Sequence, residues 1–345
     1  MEDRRVRVLV TSPLEREHLE AIAAIDPRIA LIYPAELLPP PRYPADHALP
    51  KPVTPEETAR WQALLAEAEV LFDFGPTPLL EGLPSLPNLR WIQATSAGVG
   101  QFAARVGLTR SRIVVTTASG VHARPTAEFV LMAMLMFAKG AFQLFADQRA
   151  HRWQRYAGEE IAGKTVGIVG VGRIGREIAR VARGLDARVL GTVRSVGDRT
   201  AESLHLDRVL PTEDLDLILG DLDFLVLSCP HTPQTDGLIT AARLAALPTR
   251  AVLINVARGA IVDEPALIEA LQGQRLAGAA LDVFAREPLP EDSPLWDMPN
   301  VLISPHSAST SAVENEKLVA LFADNLRRYL NGQPLRNVLN YELLY

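Results

Sequence analysis

At 345 residues the chain exceeds the roughly 100–200 residues of a typical domain, so two domains are the default. A hydrophobic fraction of 48% with only 6% aromatic residues suits helices packed on parallel sheets better than a β-sandwich. A formal net charge of -6 argues against a general nucleic-acid binder, and the single cysteine, Cys229, excludes an intramolecular disulfide and a thiolate metal cluster.

The N-terminal MEDRRVRVLVTSPL reads as a first strand rather than a signal peptide, because its apolar run is short and ends at Pro13. Further strands follow at IALIYP, EVLFDFG, LRWIQAT and RIVVTT. Between Pro34 and Pro55 stand eight prolines, which exclude a helix interior or a central strand and indicate an extended surface insert. The run from Arg124 to Trp153 opens with a proline and continues as a helix, with an apolar surface broad enough to bury against a second subunit. Its apolar core, Val130 to Ala138, is far shorter than the ~20 residues that span a bilayer, so no membrane partner and a cytoplasmic location are expected.

The later chain alternates strands TVGIVG, RVLGTV, FLVLSC, AVLINVA, LAGAALDVF and NVLISP with helical stretches, ending in a helix from about Ser311 to Asn331. Apolar runs with little alternation mark parallel strands covered on both faces. The expected fold is α/β with two doubly wound parallel-sheet domains. Residues 120–307 form the second, and residues 1–119 with 308–345 form a discontinuous first if the last helix packs back on it.

In KTVGIVGVGRIGREIARVARG, Gly170, Gly172 and Gly175 form G-x-G-x-x-G between a strand and a helix. That context points to a dinucleotide whose pyrophosphate meets the helix N-terminus around Arg173 and Ile174. The next strand ends at Val193, where an acid would accept bonds from the adenosine ribose; Arg194 and Ser195 follow instead. A guanidinium and a hydroxyl suit a 2′-phosphate, so NADP(H) is expected in preference to NAD(H). Three more strand ends carry chemistry: Arg258 after AVLINVA, Asp282 with Glu287 after LAGAAL, and His306 after NVLISP.

From about Ala94 onward the chain resembles the D-isomer-specific 2-hydroxyacid dehydrogenases, through ATSAGVG, PTAEF, GKTVGIVGVGRIG, PHTPQTDGLI, INVARGAIVDEPAL, LDVFAREPLP and NVLISPH. The resemblance implies a flavodoxin-like substrate domain, a Rossmann domain and the catalytic set Arg258, Glu287 and His306. It assigns His306 as acid/base, Glu287 as its partner and Arg258 to the substrate carboxylate and carbonyl. Asp282, Pro230, Thr235, Val256 and Ala257 would line the cofactor, Ala97 and Gly98 would cradle the substrate carboxylate, and no metal is implied. A homodimer through the dinucleotide-binding domain is the family expectation. Glu287, where formate dehydrogenases have Gln, favours hydroxyacid chemistry, and the absence of a base in FGPTP, Phe74 to Pro78, disfavours a phosphorylated substrate. The segments most resemble glyoxylate/hydroxypyruvate reductases; a bulkier 2-keto acid, phosphite, or a dinucleotide-sensing corepressor-like role are the alternatives.

Overall fold

The computed structural model describes residues 5–47 and 53–345. Pro50 and Pro52 of the insert, and the leading residues 1–4, lie outside the described residues. The chain divides into two compact units, Met1–His122 with Thr310–Tyr345, and Ala123–Ser309.

The first unit contains β1 (Val6–Val10), α1 (Arg16–Ala23), β2 (Ile29–Ile32), α2 (Pro55–Glu67), β3 (Val70–Phe72), β4 (Trp91–Gln93), α3 (Gly100–Arg105) and β5 (Val114–Thr116). Its five parallel strands pair in the order β2-β1-β3-β4-β5, the flavodoxin-like arrangement. Along β1 the side chains alternate between two cores. Val8 and Val10 face one with Phe72, Trp91 and Phe322, while Leu9 faces the other with Trp61 and Leu65. Both faces are dry, which is why the strands read as continuous apolar runs.

The second unit contains α4 (Ala123–Ala138), α5 (Ala141–Arg149), β6 (Thr165–Val169), α6 (Arg173–Arg183), β7 (Arg188–Val193), β8 (Arg208–Pro211), β9 (Phe224–Leu227), α7 (Ala241–Ala246), β10 (Val252–Asn255), α8 (Glu264–Gln272), β11 (Gly278–Leu281) and β12 (Val301–Ile303). Its seven parallel strands run β12-β11-β10-β9-β6-β7-β8, so their carboxyl ends share one edge. The strand order reverses between β6 and β9, the crevice where open α/β sheets take their ligands. The final helix, α9 (Glu314–Leu330), belongs to the first unit. Its Phe322 stacks on Trp91 at 5.2 Å, and Tyr329 stacks on the same indole at 5.6 Å. Burying side chains of this size contributes about 1.5–3 kcal/mol each, enough to anchor the helix on that sheet.

Two elements differ from the sequence reading. The helix expected from Arg124 to Trp153 breaks by 65° between α4 and α5, where Gly140 takes φ +64. Beyond α5, residues 150–160 are exposed and carry no regular element. The strand β8 was not expected; among the described residues it pairs only with β7 at the sheet edge, and its short span ends in Pro211. Among the described residues no single helix is long and apolar enough to cross a membrane, and no His, Cys, Asp and Glu cluster could hold a metal.

Candidate active site

The glycine turn follows β6 directly. Gly170 has φ +92, and a Cβ there would lie 2.4 Å from Cys229 Cα, so the turn is pressed against the end of β9. A Cβ on Gly175 would meet the Gly170 carbonyl oxygen at 2.5 Å, which lets α6 approach the strand. Gly172, by contrast, caps α6 with open space where its Cβ would be. Two glycines therefore serve packing, and the third leaves backbone accessible at a helix N-terminus that carries partial positive charge. That cradle fits a dinucleotide pyrophosphate. Arg173 is exposed on the first turn of α6, while Ile174 packs partly into the core below. Cys229 is buried, which pushes its thiol up to about 12 and makes it inert at neutral pH.

Past β7, Val193 is buried and Arg194 and Ser195 are exposed. Arg199 donates to the Ser195 carbonyl at 3.2 Å, bringing a second guanidinium to the loop. Pro230 lies past β9; its carbonyl accepts from Thr235 Oγ1 at 2.7 Å, and Thr235 Oγ1 accepts from Thr232 N at 2.8 Å. Val256 and Ala257 are buried at the end of β10. There Asn255 Oδ1 accepts from Ala257 N at 3.0 Å and its Nδ2 donates to the Arg258 carbonyl at 3.1 Å, shaping the turn that presents Arg258. A Cβ on Gly259 would lie 1.9 Å from the Phe284 carbonyl carbon. Backbone-to-backbone contact at that glycine brings the Arg258 loop against the loop that carries Glu287.

His306 and Glu287 are paired, with Nδ1 2.7 Å from Oε2. Glu287 Oε1 accepts from Phe284 N at 3.1 Å, so both carboxylate oxygens are used. Burial alone would raise the Glu287 carboxyl, but the His306 bond, the Phe284 N–H and the Arg258 charge together hold it below the usual carboxylate range. Burial lowers Arg258 from its ordinary value, with the Glu287 and Asp282 charges opposing that shift. Arg258, Asp282 and Glu287 thus sit within one electrostatic neighbourhood, and the bond to Glu287 adds His306.

Asp282 is 4% exposed and organises the turn that holds His306. Its Oδ1 accepts from Ser304 Oγ at 2.6 Å, Ser307 N at 2.8 Å and Ala308 N at 2.9 Å, while its carbonyl accepts from His306 N at 2.9 Å. These bonds keep His306 at φ +55, a backbone state that costs a β-carbon residue of order 1–3 kcal/mol. Oδ2 takes none of the three bonds. The histidine side chain is 45% exposed, and pairing through Nδ1 leaves Nε2 as the ring nitrogen not engaged by Glu287.

Ala97 and Gly98 lie in the first unit, in the loop between β4 and α3. A Cβ at Gly100 would come 1.8 Å from the Leu344 carbonyl oxygen, so the C-terminal segment backs this loop. Asn255, Ser304 and Arg199 were missed by sequence reasoning. Asn255 had a local signal, an Asx side chain two residues before the amide it binds, whereas the Ser304 partner is 22 residues away.

The sequence profile of the family described as "D-isomer specific 2-hydroxyacid dehydrogenase, NAD binding domain" matches residues 131–308. A glyoxylate/hydroxypyruvate reductase B of Pectobacterium atrosepticum is 35% identical over 286 residues, covering 81% of this chain and 88% of that protein. A D-3-phosphoglycerate dehydrogenase of Archaeoglobus fulgidus is 30% identical over 286 residues, covering 82% of this chain; the chain spans only about half, 52%, of that protein. Among solved structures, an NADPH-dependent glyoxylate/hydroxypyruvate reductase of Sinorhizobium meliloti in complex with NADP and sulfate superposes with TM-score 0.79 at 28% identity, covering 99% of this chain and 100% of that one.

Proposed function

The chain belongs to the D-isomer-specific 2-hydroxyacid dehydrogenases, NAD(P)-dependent oxidoreductases, and from that premise we propose that it reduces a small 2-keto acid of the glyoxylate or hydroxypyruvate kind to the D-2-hydroxy acid, with NADPH preferred over NADH. The observation that carries the reading is the His306–Glu287 pair at 2.7 Å, within the electrostatic neighbourhood of Arg258 and on the strand-end edge that bears the glycine turn.

Bound NADPH supplies the hydride to the carbonyl carbon. His306 Nε2 gives the carbonyl oxygen its proton, and takes it back in the reverse direction. Glu287 orients the ring through Nδ1 and balances the imidazolium charge. Arg258 would bind the substrate carboxylate and polarise the carbonyl. Asp282 would accept from the nicotinamide carboxamide, and Gly172, Arg173, Ile174, Pro230, Thr235, Val256 and Ala257 would hold the rest of the dinucleotide. Residues 120–307 would bind the cofactor, and residues 1–119 with 308–345 the substrate.

Arg194, Ser195 and the neighbouring Arg199 support the NADPH preference, because guanidinium groups pair with a 2′-phosphate that a carboxylate would repel. The phosphoglycerate dehydrogenase likeness is not carried to the substrate, since Phe74 to Pro78 holds no base for a phosphate. A homodimer is proposed from the exposed Met132, Leu144, Phe145 and Trp153 along α4, α5 and the segment that follows.

The deciding experiment is oxidation of NADPH, then NADH, in the presence of glyoxylate, hydroxypyruvate, pyruvate and bulkier 2-keto acids. Turnover of the small acids with NADPH is expected. Arg194→Ala should weaken NADPH about tenfold or more, the loss of a charge-assisted phosphate contact, and leave NADH unmoved. Equal effects on both cofactors would sink the 2′-phosphate reading; no turnover of any acid would favour a dinucleotide-sensing role.

A further inference from the structure

The loop that carries Glu287 leaves β11 through the buried Val283 and Phe284 and returns to the core at Leu289. Between them residues 285–288 are exposed and belong to no regular element. Among the described residues no backbone-to-backbone hydrogen bond reaches residues 284–288. Two amides of the loop are engaged, and both donate to carboxylates. Phe284 N donates to Glu287 Oε1 at 3.1 Å, inside the loop itself. Ala285 N donates to Glu264 Oε2 at 2.9 Å, 21 residues away at the start of α8. Among the described residues this second bond is therefore the one hydrogen bond that ties the loop's backbone to another element.

Glu264 stands on a firm base. Asp263 caps α8, its Oδ1 accepting from Ala266 N at 3.1 Å, so the helix does not need the neighbouring carboxylate for that bond. The stretch before the helix is pinned to Ile239. Ile239 N donates to the Ile261 carbonyl at 2.9 Å, and Asp263 N donates to the Ile239 carbonyl at 3.0 Å. Ile239 and Ile261 are both buried, which keeps these bonds away from water.

The same segment also meets the loop at Gly259. A Cβ there would lie 1.9 Å from the Phe284 carbonyl carbon and 2.3 Å from Ala285 N. Gly259 and Glu264 thus hold one peptide unit, Phe284–Ala285, the first by backbone packing and the second by a hydrogen bond. Packing limits how near the loop can come, whereas the directional bond sets how that peptide is turned. The adjoining Phe284 N–H is the donor that engages Glu287 Oε1, and Glu287 Oε2 is the atom 2.7 Å from His306 Nδ1. A change in the tilt of this peptide is therefore passed to the carboxylate that faces the histidine.

We infer that Glu264 is a positioning residue for the acid/base pair: its bond to Ala285 N holds the Glu287 loop against the segment that begins at Arg258, and so keeps Glu287 aligned with His306. This role rests on the reading of His306 and Glu287 given above. Arg258 opens the segment and Glu264 ends it, so one braced stretch places both the guanidinium and the carboxylate partner of the histidine. Glu264 bonds the loop's backbone and acts through Glu287.

The test is hydrogen exchange at the amides of residues 284–288, together with kcat and KM for glyoxylate and NADPH affinity, in Glu264→Ala, Glu264→Gln and the double variant Glu264→Ala, Glu287→Gln. Losing the cross-element bond in Glu264→Ala should speed exchange about tenfold and lower kcat about tenfold. KM and NADPH affinity should stay within about twofold, because Glu264 contacts neither ligand in this reading. Glutamine offers an acceptor in the same place, so Glu264→Gln should keep exchange and kcat within about threefold of wild type. In the Glu287→Gln background Glu264→Ala should lower kcat no further, the non-additivity of two residues that act as a unit. Wild-type exchange in Glu264→Ala, or a Glu264→Gln variant as impaired as Glu264→Ala, overturns the hold on the loop. Fast exchange with wild-type kcat, or additive losses in the double variant, overturns the positioning role. A wild-type protein inactive on every keto acid would count against the keto-acid reading, while the exchange measurement would still decide whether Glu264 holds the loop.

Discussion

His306 occupies a left-handed backbone position and has Nδ1 engaged by Glu287, so its geometry is set by neighbours rather than by its own preferences. Asp282 provides the turn and Glu287 the ring orientation, an arrangement that would direct Nε2 to the proposed substrate. Glu287 has a depressed pKa, so the pair's contribution is complete above the usual carboxylate range and is lost as pH falls through the lowered value. In Glu287→Gln the negative charge 2.7 Å from the ring disappears, and the imidazolium loses its balancing partner. The kcat for reduction should therefore fall by about tenfold or more, with NADPH affinity unchanged. A kcat equal to that of the wild type would count against the assigned pair.

The turn between β6 and α6 separates packing from binding within six residues. At Gly175 an added methyl would collide with the Gly170 carbonyl, whereas at Gly172 it would enter open space. Gly175→Ala should cost about 1–3 kcal/mol of stability through overpacking, seen as a lowered Tm. Gly172→Ala should melt close to wild type yet bind NADPH at least about tenfold more weakly, because the methyl would stand where the pyrophosphate is proposed to approach. Thermal melts and fluorescence titrations distinguish the two, and reversed outcomes would overturn this division of roles. The same local view accounts for the break at Gly140: two short helices replace one long one where a residue without Cβ takes φ +64.

At the scale of the molecule, a run of exposed apolar side chains on the second unit, with Trp153 96% exposed, is more than isolated surface hydrophobics require. Sedimentation at micromolar concentration should give a dimer, and a Phe145→Asp, Trp153→Asp double variant a monomer; a wild-type monomer would refute the proposed assembly. Much of this protein was legible in its sequence because the information is local. Uninterrupted apolar runs mark strands covered on both faces, and G-x-G-x-x-G between strand and helix can satisfy its backbone in few ways. Arg258, Glu287 and His306 could be picked out because each follows a strand of a parallel sheet, whose carboxyl ends all share one edge. Other features depended on partners distant in sequence. The edge strand β8 needed β7 beside it, Ser304 needed Asp282, and the Arg258 loop needed Gly259 against the Phe284 backbone. The row Ser12–His47–Asn315 draws on three separate segments that no spacing rule connects. By itself, then, the sequence determined the parallel sheets, the dinucleotide turn and the chemical types at the strand ends, all set by short-range sterics and hydrophobic patterning. Only the tertiary structure decided which hydrogen bonds orient those groups, because a bond a few ångströms long can join residues hundreds of positions apart.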